Sequence, residues 1–158
     1  SFHVTGVQTC ALPILKFRID KSLVFMTFAK GDSINKTFES FAEVKGVGCA
    51  WLNGIGALEN PEIGYYSLED KTYHRKLFKG EYELTSLIGN ITVKEGKPFS
   101  HTHITFSDTE YRVFGGHLFD ADITAAGEFI MQFGSENITR EMNPGIGLPL
   151  WCLEESLG

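Results

Sequence analysis

The alternation of apolar and polar positions along the chain predicts a β-rich domain with one helix. Residues 23–29 are dense in β-forming side chains and are followed by Gly31, which is typical of a strand that ends in a turn. Ser33 then stands as a helix N-cap, and Gly46 as the residue that ends the helix. Between them, four apolar residues recur at helical spacing on one face: Ile34, Phe38, Phe41 and Ala42.

After the helix, the pattern predicts strands separated by short turns rich in glycine. Pro149 fits an edge strand, because proline cannot donate a hydrogen bond to a neighbouring strand. Strands at this spacing predict an α+β fold, mainly an antiparallel sheet or partial barrel with one principal flanking helix. The predicted strands are residues 49–58, 62–68, 82–93, 99–106, 111–123, 125–133 and 148–153.

Composition argues against several classes of function, above all electrostatic binding to nucleic acid or to a membrane. The chain has 158 residues, of which 42% are hydrophobic and 22% charged, as expected for one globular domain. A formal net charge of −6 argues against a purely electrostatic grip on nucleic acid or on an anionic membrane. The three cysteines, Cys10, Cys49 and Cys152, have no CxxC spacing and predict reduced thiols in a cytoplasmic protein. Apolar runs are too short to span a membrane.

Residues 1–14 differ from the rest of the chain. They contain no Lys, Arg, Asp or Glu, and they show neither strand alternation nor a helical stripe. Residues 4–14, VTGVQTCALPI, resemble the translation of a sequencing-library adapter. We therefore expect residues 1–14 to be non-native and residues 15–158 to form a single domain.

Three histidines form a candidate metal site. His101 and His103 alternate along one predicted strand, so both imidazoles point to the same face of the sheet. A hairpin that turns about Thr109 places His117 directly opposite His101, and Gly115–Gly116 suits a bulge that adjusts the aim of His117. Neutral imidazoles are preferred ligands of Zn²⁺, and three protein ligands leave a coordination position open for water or substrate. The alternative is a set of histidines on a solvated sheet face; His74 is expected at the surface.

Five motifs follow one another in a fixed order: Gly54–Leu58 (GIGAL), Gly64–Tyr66 (GYY), Tyr82–Asn90 (YELTSLIGN), His101–His103 (HTH) and Gly115–Leu118 (GGHL). In this order they resemble the plant- and prokaryote-conserved (PPC) domain, in its bacterial and archaeal branch. The resemblance implies an antiparallel sheet with a flanking helix, a homotrimer, and a fold similar to that of alpha-acetolactate decarboxylases, whose histidines hold zinc. His101, His103 and His117 match the histidine positions of the family. Plant members carry an Arg-Gly-Arg-Pro arm for DNA, and these 158 residues contain none.

Other residues are weaker candidates for function. Glu83 matches a motif position and is a candidate general base or orienting group, with Asp120 and Glu128 as alternatives. Arg140 is a candidate for binding a carboxylate substrate through two parallel hydrogen bonds. The one basic cluster is a candidate for phosphate contacts, although such a run is more often a solvated face. Its members are Lys71, Arg75, Lys76 and Lys79, together with His74.

Three functions remain open at this point. The first is a zinc-type metal site that acts on a small molecule, in which case the chain is a metal-dependent lyase or hydrolase. The second is a DNA-associated regulatory domain, which the acidic charge disfavours. The third is a non-catalytic trimeric adaptor.

Overall fold

The computed structural model describes residues 15–157, and the prediction for residues 1–14 lies outside them. The described chain forms one helix and nine strands. No helix in residues 15–157 has the length and apolar character needed to cross a membrane. In chain order the elements are β1 (Lys16–Asp20), β2 (Leu23–Phe28), α1 (Ile34–Lys45), β3 (Ala50–Ser67), β4 (Thr72–Leu77), β5 (Glu81–Lys94), β6 (Lys97–Ser107), β7 (Val113–Phe133), β8 (Thr139–Asn143) and β9 (Leu148–Cys152).

All nine strands belong to one sheet. Its main order is β1-β2-β7-β3-β5-β8-β9, with β4 paired to β3 and β6 paired to both β5 and β7. Strands β3, β5, β6 and β7 therefore pair in a ring, from which the other strands extend. Every pairing is antiparallel except the contact of β5 with β8, at Val93 and Thr139. The predicted α+β class with a mainly antiparallel sheet is confirmed.

Two long strands replace pairs of shorter predicted ones. Residues 49–58 and 62–68 belong to one strand, β3, and residues 111–123 and 125–133 are largely merged in β7. Asn60–Pro61 favours a break, yet Asn60 adopts a φ of 51° and the register shifts between Glu59 and Glu62. The chain absorbs this dipeptide as an irregularity inside the strand. The pattern also missed β1, β4 and β8, which are short strands with mostly exposed side chains.

The core lies between α1 and one face of the sheet. Phe38 of the helix packs against Phe28 and Phe129, with ring centroids 4.8 Å and 5.2 Å away. The helical positions predicted to face the sheet, Ile34, Phe38, Phe41 and Ala42, are all buried. Helix α1 covers only this face. On the opposite face, the β8–β9 hairpin covers Asn90 and Thr92, while large side chains elsewhere on it, such as Phe25 and Trp51, are exposed. We call that opposite face the outer face.

Helix α1 begins and ends at the predicted residues, but its N-terminus is capped by a different side chain than predicted. Gly46 ends the helix in the left-handed region with a φ of 68°, as predicted. Ser33 occupies the N-cap, but its hydroxyl donates to Asp122 Oδ1 at 2.8 Å and does not cap the helix. The Asn35 backbone N–H donates to Asp120 Oδ1 at 3.1 Å. A carboxylate from β7 therefore supplies the N-terminal acceptor that Ser33 was expected to provide.

Asn35 also joins two strands that separate beside it. Strands β6 and β7 pair only from His103–Ser107 to Val113–His117. Beyond this point, the Asn35 amide nitrogen donates to Leu118 O and Phe119 O, both at 3.1 Å. Its carbonyl oxygen accepts a 2.7 Å hydrogen bond from the Thr102 hydroxyl. The buried amide thus fixes the spacing of β6 and β7 next to the histidines.

Candidate metal centre

The hairpin of β6 and β7 brings the three histidines together in a register that differs from the predicted one. The prediction placed His117 opposite His101, whereas the structure pairs His117 with His103. The difference is two residues, so every side chain keeps its face of the sheet. The predicted cross-strand partner of His117 was wrong, whereas the predicted convergence of the three rings is confirmed.

Asp108 accounts for the change in register. Its carboxylate Oδ1 accepts hydrogen bonds from the backbone N–H groups of Glu110 and Arg112, at 2.9 Å and 3.0 Å. Tyr111 adopts a φ of 64° and donates its N–H to Asp108 O. The turn is therefore centred on Glu110, one position later than Thr109.

Gly115 and Gly116 do not form the expected bulge. The pairing of β6 with β7 runs without a shift through both glycines, and the irregularity in β7 comes later, near Phe119 against β3. A Cβ on Gly115 would lie 2.9 Å from Ile104 O, and one on Gly116 would lie 2.9 Å from Gly64 O. These glycines permit close backbone approach on both sides of the strand that carries His117.

The imidazoles form a compact cluster. Each histidine offers one ring nitrogen, and these three atoms lie within 4.8 Å of one another. The Nε2 atoms of His101 and His103 are 3.2 Å apart. Two nitrogens bound to one tetrahedral Zn²⁺ at 2.0–2.1 Å are separated by about 3.3–3.4 Å. The two rings are therefore already spaced as ligands of a single ion.

The surroundings keep the three rings neutral. Burial lowers the pKa of His101 to about 4, helped by the charges of His103 and Arg140. Burial likewise lowers the pKa of His117 to about 4, helped by His101, His103 and Arg75. Burial also lowers the pKa of His103. At neutral pH the cluster therefore presents unprotonated nitrogens, which is the form that coordinates a metal.

Tyr73 of β4 orients His117. Its ring stacks on the imidazole with centroids 4.6 Å apart and an interplanar angle of 28°. The phenolic oxygen lies 3.5 Å from His117 Nδ1, at the outer limit of a hydrogen bond. A proton on Nδ1 directed at this oxygen leaves Nε2 free as a ligand. Burial raises the pKa of Tyr73, so the phenol stays protonated.

A cavity of about 450 Å³ opens beside His101 and His117. Its lining combines apolar surface from Phe99 and Pro149 with charged groups, among them Arg140. It extends from the histidines across the gap between β6 and β7 and under the β8–β9 hairpin. A small molecule in this cavity would lie next to any ion held by the histidines.

Arg140, which the sequence suggests as a candidate for binding a carboxylate substrate, lines this cavity. Its Nε donates to Thr92 Oγ1 at 2.7 Å, Nη1 to Pro149 O at 3.0 Å, and Nη2 to Asn90 Oδ1 at 2.8 Å. The guanidinium carbon also lies 5.3 Å from the centre of the Phe99 ring. The side chain is therefore held in one position before any ligand arrives.

Glu83 is not brought to the histidines. It is exposed and pairs with Ser107, whereas Ile88 is the residue of β5 opposite His103. Glu128 is also exposed, at the β2 side of the sheet. Asp120 does line the cavity, and burial raises the pKa of its carboxyl group. Of the three candidate acids, the structure places only Asp120 near the site.

The basic cluster lies on β4 and its flanking turns, and three of its five members are held by polar contacts. Arg75 pairs with Glu62 through Nε at 2.8 Å and covers the Phe119 ring at 3.6 Å. Lys71 Nζ donates to Pro144 O at 3.1 Å. Lys76 and Lys79 are exposed. His74 is at the surface as expected, 2.8 Å from an Asp70 oxygen.

Three residues of the site were not identified as functional candidates from the sequence. Tyr73 lies on a strand that was assigned to a solvated basic hairpin, although Thr72–Tyr73 are β-forming residues. Asn35 and Asn90 are buried amides whose partners are 83 and 50 residues away along the chain. No local signal identifies such partners, since they depend on the tertiary arrangement.

The fold and the histidine cluster can be compared with known proteins. A crystal structure of a plant- and prokaryote-conserved protein from Pyrococcus horikoshii is 34% identical, with a TM-score of 0.79 over 90% of this chain and 97% of that one. A metal-containing protein from Archaeoglobus fulgidus is 33% identical, with a TM-score of 0.77 over 89% and 99% of the two chains. A Bacteroides thetaiotaomicron protein, described provisionally as DNA-binding, is 29% identical, with a TM-score of 0.84 over 87% and 96%.

Among curated proteins, none matches this chain. The family model of the Plants and Prokaryotes Conserved domain matches residues 18–133. This range contains α1, the ring of strands and all three histidines. The chain belongs to the Plants and Prokaryotes Conserved domain family.

Proposed function

We propose that the protein binds one divalent transition-metal ion, Zn²⁺ in the first instance, through His101, His103 and His117. The observation that carries the proposal is the convergence of three neutral imidazole nitrogens within 4.8 Å of one another. Nitrogen ligands of this kind suit zinc and its neighbours in the transition series. The metal-containing relative from Archaeoglobus fulgidus supports the same function.

In this proposal the bound ion acts on a small molecule. Three histidines leave a coordination position open, and the cavity beside His101 and His117 gives access to the site. When bound, the ion supplies Lewis-acid chemistry, which suits a metal-dependent lyase or hydrolase. The chain itself contributes Tyr73, which orients His117, and Arg140, which is held ready for an acidic group.

The outer face supports assembly into a homotrimer. Large apolar side chains are exposed there, including Phe25 at 49%, Trp51 at 45% and Ile88 at 49%. Ile88 lies directly across from His103, so this apolar surface reaches the metal site. A cyclic arrangement of three copies covers such a surface without open-ended growth. In this assembly the site borders a neighbouring subunit.

The metal content of the protein tests the proposal. We expect tag-free wild-type protein, loaded with Zn²⁺ and dialysed, to retain about one ion per chain by elemental analysis. His103→Ala should lose most of the metal, because two imidazoles remain. His74→Ala is the matched control, since His74 is an exposed histidine outside the cluster. Retention of zinc by His103→Ala, or equal loss in both variants, would falsify the three-histidine site.

DNA binding through β4 is the second candidate. The provisional description of the Bacteroides thetaiotaomicron relative favours it, as do the exposed Lys76 and Lys79. Against it, Arg75 and Lys71 are already held by Glu62 and Pro144. If DNA binds here, Arg75→Ala with Lys76→Ala should flatten the salt dependence of its affinity, while His103→Ala leaves it unchanged. Equal salt slopes in wild type and the double variant would exclude β4 as the contact.

A further inference from the structure

Arg140 retains unused hydrogen-bonding capacity. A guanidinium group has five N–H bonds, and Arg140 uses three of them, on Thr92, Pro149 and Asn90. The other two, one on each terminal nitrogen, have no partner among residues 15–157. The group is half-buried, and burial lowers its pKa, so it lacks part of the solvation that an exposed arginine has. Two such N–H bonds match the two oxygens of a carboxylate.

The position of Arg140 is fixed relative to the histidines by strand pairing. Asn90, which accepts from Nη2, lies directly across from His101, and Thr92, which accepts from Nε, lies across from Phe99. Residues paired in this way point to the same face, with Cβ atoms about 4.5–5.5 Å apart. The guanidinium therefore lies on the His101 side of the sheet, within the reach of a ligand of a few carbon atoms.

The charges around the cavity favour an acidic ligand. Two carboxylates line it, and one oxygen of each accepts hydrogen bonds from the protein itself. Glu39 Oε1 accepts from the Ser100 amide at 2.9 Å, and Asp120 Oδ1 accepts from the Asn35 amide at 3.1 Å. Lys36, Lys94 and Arg140 supply positive charge to the same lining. In this acidic protein, the cavity lining therefore carries three cationic side chains against two carboxylates.

We propose that this cavity binds a small dicarboxylic acid, with one carboxylate on the two remaining N–H bonds of Arg140. The second carboxylate, or an equivalent oxygen donor, reaches the ion at the histidines. This inference rests on the proposed metal site for the second contact but not for the first. Arg140 is the residue that selects acids over neutral molecules of the same length.

Isothermal titration calorimetry with malonate tests the inference. In protein loaded with Co²⁺, we expect malonate to bind the Arg140→Lys variant about 10- to 100-fold more weakly than wild type, because a lysine cannot present two parallel donors. Cobalt content should be equal in both. Arg18→Lys, the same change at an exposed arginine of β1, should bind malonate as wild type does. On unaltered protein, malonamide should not bind, which tests the contact without any substitution.

The outcomes separate the two proposals. Equal malonate affinity in wild type and Arg140→Lys, or equal affinity for malonate and malonamide, overturns the dicarboxylate site while leaving the metal site intact. If wild type takes up no cobalt, the metal site fails and malonate is titrated into metal-free protein. Weaker binding to Arg140→Lys then supports the Arg140 contact, and binding that does not depend on Arg140 overturns it.

Discussion

Asn35 offers the sharpest test of how the fold positions the histidine cluster. Its buried amide makes three hydrogen bonds that join β6 to β7, at Leu118 O, Phe119 O and the Thr102 hydroxyl. Asn35→Ala removes all three and leaves buried polar atoms without these partners. At a net 0.5–1.5 kcal/mol for each bond, we expect the free energy of unfolding to fall by about 2–4 kcal/mol. This is a large share of the 5–15 kcal/mol typical of a domain.

Urea unfolding of the metal-free protein, kept in a chelator, measures this loss. Asn137→Ala is the matched control, because Asn137 is an exposed amide outside the strands and makes no side-chain hydrogen bond within residues 15–157. Thr102→Val completes a double-mutant cycle, in which we expect a coupling of about 1 kcal/mol with Asn35→Ala. A loss below about 1 kcal/mol in Asn35→Ala would show that the amide is not what holds the two strands.

The same substitution has a second readout at the histidines. His101 precedes Thr102 in β6, and His117 precedes Leu118 in β7, so the amide lies between the two ligand-bearing segments. Without it, we expect weaker zinc binding even though no ligand has been altered. Unchanged zinc affinity in a folded Asn35→Ala protein would refute this positioning role.

Three further predictions concern the strand backbone, the imidazoles and the outer face. Gly89→Ala should lower the urea midpoint and the zinc content, because its Cβ would lie 2.3 Å from His101 O. In metal-free protein, stability should rise from pH 4 to about 6.5, since unfolded imidazoles bind protons that folded His101 and His117, with pKa values of about 4, do not; urea unfolding across this range measures it. Light scattering should report about three times the chain mass for wild type and a smaller particle for Ile88→Glu.

The histidine cluster was predictable because it depends on strand alternation. Side chains along a strand alternate between its two faces with a period of two residues. This alternation sets the face of His101, His103 and His117, and a shift of two positions leaves those faces unchanged. The pairing itself was not predictable from the same pattern. It depends on hydrogen bonds of the Asp108 carboxylate in the turn, which alternation does not encode.

The surroundings of the cluster required the tertiary structure. Tyr73 reaches His117 only because β4 pairs with β3 beside β7. Glu83 does not reach the histidines because it lies near the start of β5, opposite Ser107, whereas Ile88 lies opposite His103. Arg140 was singled out by residue type alone, and its place in the cavity follows from distant partners such as Asn90. Local patterns identify ligands on one hairpin, whereas groups from four other elements come together through long-range packing.

The β8–β9 hairpin means that the cavity and the histidines come from two different parts of the chain. The histidines lie within residues 18–133, the range that defines the family, whereas Arg140 and Pro149 follow it in the chain. Besides the bonds of Arg140, the hairpin is held by contacts from earlier in the chain, such as Tyr66 Oη donating to Ile146 O at 2.6 Å and Lys71 Nζ donating to Pro144 O at 3.1 Å. Exchange of this hairpin between relatives should therefore change which molecule enters the cavity while the strands that carry the histidines stay as they are. Chimeras that differ only after residue 133 become a practical route to new ligand preferences beside one histidine cluster.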